Sequence, residues 1–109
     1  MPWLLRDGEV LATLEVAESF ASRARGLLGR DGMDGALLLR PARSVHTIGM
    51  RFPIDVAFCD PTGTVIRVAT LKPRRVSRLV WRAGFVVEAP AGAFERWRLS
   101  PGDLVEIKD

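Results

Sequence analysis

A chain of 109 residues that is 48% hydrophobic supports one globular domain, residues 1–109, with a modest core and no room for a second. No apolar run approaches the roughly 20 residues that span a bilayer. The opening Met-Pro-Trp-Leu-Leu-Arg-Asp-Gly lacks the basic and apolar regions of a secretory leader, so a cytoplasmic protein is expected.

Charge is more informative in its distribution than in its net value of +3. Between Gly35 and Val87, nine cations stand against Asp55 and Asp60, a local balance of +7, which leaves −4 for the two ends together. A basic middle of this kind suits phosphate, an anionic metabolite or an acidic protein surface. It equally suits a solvated face, and 14 of the 16 cations are arginine. The aromatic interleaving of a single-strand binder is thin, with only Trp81 and Phe85 near the cluster, so nucleic acid is the weaker expectation.

In chain order, Trp3 to Glu9 reads as a short strand broken at Asp7-Gly8, a favoured tight-turn pair. Val10, Ala12, Leu14 and Val16 alternate with Leu11, Thr13 and Glu15, a strand with its apolar face on the even positions. The period then changes, and Phe20, Ala24, Leu27 and Leu28 predict a helix of about three turns from Glu18, with Gly29 as its stop. Asp31 to Gly35 is a loop, Ala36 to Leu39 a short apolar strand ended by Arg40-Pro41, and Val45 to Met50 an extended segment that bends at Gly49.

After Pro53, Ile54, Val56 and Phe58 alternate with Asp55, Ala57 and Cys59, the period-two pattern of a strand with one face buried. Asp60-Pro61-Thr62-Gly63 fits a type I turn, making a hairpin with Thr64–Leu71. Lys72 to Arg82 is a basic irregular segment. Phe85 to Ala89 is a strand stopped at Pro90, and the turn Ser100-Pro101-Gly102-Asp103 leads into a last strand, Leu104 to Ile107. About seven short strands and one short helix predict a mainly β fold, an antiparallel β-sandwich or open barrel with the helix packed on it.

Four pieces resemble the conserved bacterial family known as domain of unknown function 192. They are Arg23-Ala-Arg-Gly-Leu-Leu-Gly-Arg30, Gly35-Ala-Leu-Leu-Leu39, Phe52-Pro-Ile-Asp-Val-Ala-Phe58, and Val87-Glu-Ala-Pro-Ala-Gly92 followed by Pro101-Gly-Asp103. The resemblance covers almost the whole chain and implies a mainly β fold with no settled activity. Two departures stand out: Leu28 replaces a usual methionine, and His46-Thr-Ile-Gly-Met50 replaces a more usual Trp-Met-x-Asn-Thr. If that segment lines a pocket, the ligand differs from that of most relatives. Carrying the motifs over selects Arg23, Asp55 and Glu88 as the charged positions of the pattern.

Asp55 and Glu88 are each carboxylates flanked by apolar strand residues, where ionised groups need partners. Either arginines such as Arg23 or Arg25 and backbone N–H groups hold them as structural pins, or they form one polar focus with His46 and Thr47. His46, the only histidine, precedes the Gly49 bend and is the side chain best suited to proton exchange near neutral pH. The candidate ligand-binding set is Arg23, His46, Thr47, Met50, Asp55 and Glu88, and the basic patch is Lys72, Arg74, Arg75, Arg78 and Arg82. A metal set of His46, Asp55 and Glu88 is chemically conceivable, but its spacing matches no metal motif, and neither a metal nor another cofactor is expected. Cys59 is alone, so no intrachain disulfide forms, and an inert buried thiol is expected.

The leading expectation is a small non-catalytic β module that binds a ligand or protein partner through His46–Phe52, with the basic segment steering an acidic partner. One alternative is a small hydrolase using His46 with Asp55 or Glu88. A second is nucleic-acid binding through the basic middle. Edge strands near the termini leave the oligomeric state open.

Overall fold

The structure, a computed structural model, describes residues 2–17 and 32–109. The helix expected from Glu18 to Leu28, with Arg23 and Arg25, lies outside the described residues. Seven strands follow in chain order: β1 (Trp3–Arg6), β2 (Glu9–Ala17), β3 (Ala36–Leu39), β4 (Ile54–Cys59), β5 (Val65–Leu71), β6 (Phe85–Pro90) and β7 (Val105–Lys108). One short helix, α1 (Ala93–Trp97), sits between β6 and β7.

The strands form one sheet in the order β5-β4-β6-β3-β2-β1-β7. Asp7 and Gly8 both take positive φ, 52° and 78°, and fold β1 back on β2. At the other hairpin, the Gly63 amide donates to Asp60 O at 3.0 Å and the Asp60 amide to Thr64 O at 2.9 Å, closing the expected turn between β4 and β5. The sheet is mixed, where a purely antiparallel one was expected, because β2 and β3 run parallel with Leu14 opposite Ala36. A parallel pair needs a long connection, and 18 residues separate Ala17 from Ala36 in sequence.

The sheet curls until its two edges touch at one end. The Val65 amide donates to Asp103 O at 2.8 Å, and the Val105 amide to Gly63 O at 3.0 Å. Gly63 is required there: its φ is 102°, and an added Cβ would lie 2.5 Å from Val105 O. The result is an open, mainly β barrel with a single short helix among the described residues.

Strand β4 corrects the expectation of one buried face, since all six of its residues are buried. Its alternation separates two cores instead of core and solvent, as befits a central strand covered on both sides. Ala57 and Cys59 join Leu4, Leu38, Val87, Ala89, Ala93 and Phe94 in the first core. Ile54, Val56 and Phe58 join Leu37, Val45, Met50, Phe52 and Val86 in the second.

Candidate functional site

Asp55 projects from β4 on the side of the first core and is 4% exposed. Its Oδ1 accepts the Thr70 hydroxyl at 2.7 Å, and its Oδ2 accepts the Gly92 and Phe94 amides at 3.0 and 3.1 Å. The two amides belong to the start of α1, whose first-turn N–H groups have no partner inside the helix and whose cap residue, Gly92, offers no side chain. Asp55 thus caps a helix from a distant strand. An open depression of about 620 Å³ borders it, lined also by Thr70, Glu95, Arg98 and Ser100.

Glu88 is fully buried on β6. Its cross-strand partners are Leu37 and Val56, both members of the second core. Since Val56 and Asp55 are adjacent on one strand, their side chains leave on opposite faces, and Glu88 shares Val56's face. A polar focus uniting Asp55 and Glu88 is therefore not assembled. Among the described residues, no buried side-chain nitrogen or oxygen lacks a hydrogen-bond partner, and no cluster of three or more His, Cys, Asp or Glu is placed to hold a metal.

His46 and Thr47 lie on a segment that covers the second core through Val45, Met50 and Phe52. Alternate amides tie this segment antiparallel to the basic stretch. Val80 N donates to Arg43 O at 2.8 Å, Ser77 N to Val45 O at 2.8 Å, and Thr47 N to Arg75 O at 2.8 Å, with a bridge between His46 and Val76. Thr47 is the lock: it is fully buried, donates its hydroxyl to Lys72 O at 2.6 Å and accepts the Arg75 amide at 2.9 Å. Ring nitrogen Nδ1 of half-buried His46 accepts the Ile48 amide at 3.2 Å, which puts the proton of the neutral ring on Nε2.

The tertiary structure thus joins two regions that the sequence kept apart, the His46 segment and the basic stretch, into one ribbon. Its inner side packs on the core, and outward it carries Arg43, Lys72, Arg74, Arg75, Arg78 and Arg82. Among the described residues, none of these six makes an ion pair. Between them Ile48, Val76, Leu79 and Trp81 stand 50–72% exposed, half of the large exposed apolar side chains among the described residues. At the Trp81 end a groove of about 520 Å³ runs between Pro41, Pro61 and Trp81, with Arg43 and Arg82 beside it.

Sequence reasoning missed α1 and with it the partner of Asp55. The signal was present in Gly92-Ala-Phe-Glu-Arg-Trp97, with apolar residues at helical spacing, an acid in the first turn and a base in the last. Also missed was Arg6, whose guanidinium binds Trp97 O, Arg98 O and Asp103 Oδ2 and so ties β1 to the end of α1. Cys59 is buried, and burial, with the Asp60 charge adding to it, pushes its thiol up to about 12, as suits an inert packing residue.

Comparison with known proteins gives the same fold and no activity. A crystal structure of a protein of unknown function from Novosphingobium aromaticivorans superposes with a TM-score of 0.78 over 96% of this chain and 82% of that one, at 19% identity. A second, from Sinorhizobium meliloti and described as a candidate transcription regulator, gives 0.76 over 96% and 90%, at 27% identity. UPF0127 proteins of Pyrococcus horikoshii and Pyrococcus abyssi are each 32% identical, over 92% and 85% of this chain and 88% and 84% of their own. These relatives are archaeal, so the family reaches beyond bacteria. The model of DUF192, described as an uncharacterized ACR, matches residues 4–107, and the chain belongs to that family.

Proposed function

We propose that this protein is a non-catalytic β module that binds an acidic protein partner through the ribbon formed by His46–Phe52 and Lys72–Arg82. The observation that carries this reading is the set of six cations, unpaired among the described residues and interleaved with four exposed apolar side chains. Solvated surfaces usually mix both signs of charge, whereas this face holds no carboxylate from Ala36 to Ile54 or from Pro61 to Val87. Exposed aliphatic groups contribute nothing to binding phosphate, but they complement a protein surface, where contact and charge act together.

Support for catalysis is weaker, since Asp55 serves α1 and lies on the opposite face of the sheet from Glu88 and the His46 segment. A second reading, nucleic-acid binding, draws on the same arginines and on the description of the Sinorhizobium meliloti structure. The lone buried Cys59 suits a reducing, cytoplasmic setting.

Titration with polyglutamate and with polyuridylate at rising salt tests the proposal. Polyglutamate binding that weakens with salt and is lost in the double variant Arg74→Glu, Arg78→Glu supports it. Binding of polyuridylate alone favours the second reading. Indifference to both polyanions refutes the anionic-partner reading.

A further inference from the structure

We infer that the groove at Trp81 is an anchor site for one apolar side chain of an acidic protein segment, with Arg43 and Arg82 taking the carboxylates that flank it. The inference rests on the anionic-partner reading and adds where that partner's apolar contact enters.

The groove is built before any ligand arrives. Three chain segments meet at its floor: the Gly84 amide donates to Cys59 O at 2.7 Å, and the Ala42 amide donates to Gly84 O at 3.3 Å. Gly84 lies so close to Pro61 that an added Cβ would stand 2.9 Å from its Cγ and 3.0 Å from its nitrogen. Pro41, Pro61, Ala42 and Ala83 offer no polar side-chain atom, and the floor amides are engaged with one another. Trp81 is 72% exposed, which leaves apolar area open to contact. Tryptophan and arginine are the residue types most often found as interface hot spots.

Charge complementarity selects the occupant. Arg43 and Arg82 make no ion pair or side-chain hydrogen bond among the described residues, so both forks are open to carboxylates. A nucleobase stacked on Trp81 would find no polar side chain here other than these two to read its edge. Leu79 and Val76, further along the ribbon, continue the apolar track that a peptide can use and a phosphate backbone cannot.

Two synthetic peptides test this, one of alternating glutamate and serine and one identical except for a single central leucine. Affinities are measured by calorimetry, and the indole N–H resonances of the three tryptophans are followed by NMR. The leucine peptide should bind about tenfold more tightly, the gain of burying one leucine side chain, and should shift the Trp81 indole. Trp81→Ala should abolish the leucine advantage, so that the two peptides bind alike, and Arg82→Glu should weaken both. Unmoved Trp3 and Trp97 resonances verify that each variant is folded. Equal affinity for the two peptides, or a leucine preference that survives Trp81→Ala, overturns the anchor site while the anionic-partner reading stands. Polyuridylate moving the Trp81 indole where neither peptide does also overturns it. Failure of both peptides together with polyglutamate removes both proposals.

Discussion

Thr70 and Asp55 face each other across β5 and β4 and are joined by a hydrogen bond of 2.7 Å from the Thr70 hydroxyl to Asp55 Oδ1. That bond orients the carboxylate so that Oδ2 meets the amides of Gly92 and Phe94. Side chain, strand register and helix start therefore form one unit, and the carboxylate is held without an arginine among its hydrogen-bond partners.

Asp55→Ala should destabilise the fold by about 4 kcal/mol, because it removes three charge-assisted hydrogen bonds and leaves buried donors unmet. Asp55→Asn should cost only about 1 kcal/mol, since its amide oxygen still accepts both amides and its NH2 can donate to the Thr70 hydroxyl. Denaturant titration at unchanged slope measures both. An asparagine variant as unstable as the alanine one would mean that charge, rather than hydrogen bonding, holds α1.

Thr47→Val keeps the shape of the side chain and deletes the hydroxyl that grips Lys72 O and the Arg75 amide. A loss of about 2 kcal/mol is expected from the unmet buried groups. Polyglutamate affinity should fall as well, although residue 47 is buried and carries no charge, because the ribbon loses its pin. Unaltered hydrogen exchange at the Arg75 amide in this variant would contradict that role.

Gly63→Ala tests the seam of the barrel. It forces a side chain into the left-handed region and against Val105 O, at a cost of about 3 kcal/mol. The damage should appear first as faster hydrogen exchange at Val65 and Val105, whose amides cross the seam.

Cys59 predicts a limb of alkaline instability. Its folded value of about 12 lies above the ordinary thiol value of 9.0, so the folded state holds the proton more tightly. Stability from this group is therefore complete below about pH 9 and declines as pH rises through about 12. Cys59→Ala should flatten that decline, and the native thiol should resist disulfide reagents at neutral pH until the protein unfolds. Rapid labelling of the folded protein would contradict this burial.

Much of this was written in local chemistry. Period-two runs and turn residues define most of the strands, because alternation and φ preference depend on a few neighbouring residues: Asp7-Gly8 and Asp60-Pro61-Thr62-Gly63 each make the turn that their residue types demand. The family was legible for a related reason, in short motifs spread along the chain. The lone thiol was also correctly read as buried, since small apolar character in a strand is a local property.

What sheet order and register decided, no local pattern contains. That β4 is covered on both faces follows from its central place, not from its alternation, which looks the same with one face wet. That Asp55 and Glu88 point to opposite sides follows from Val56 pairing with Glu88, a register set between residues far apart in sequence. The union of His46–Phe52 with Lys72–Arg82 has the same origin: hydrogen bonds from Val80, Ser77 and Thr47 join segments about 30 residues apart, and only their meeting turns scattered arginines into one face. Local sequence sets which conformations a segment favours, while long-range pairing sets which residues become neighbours, and a binding site depends on the second.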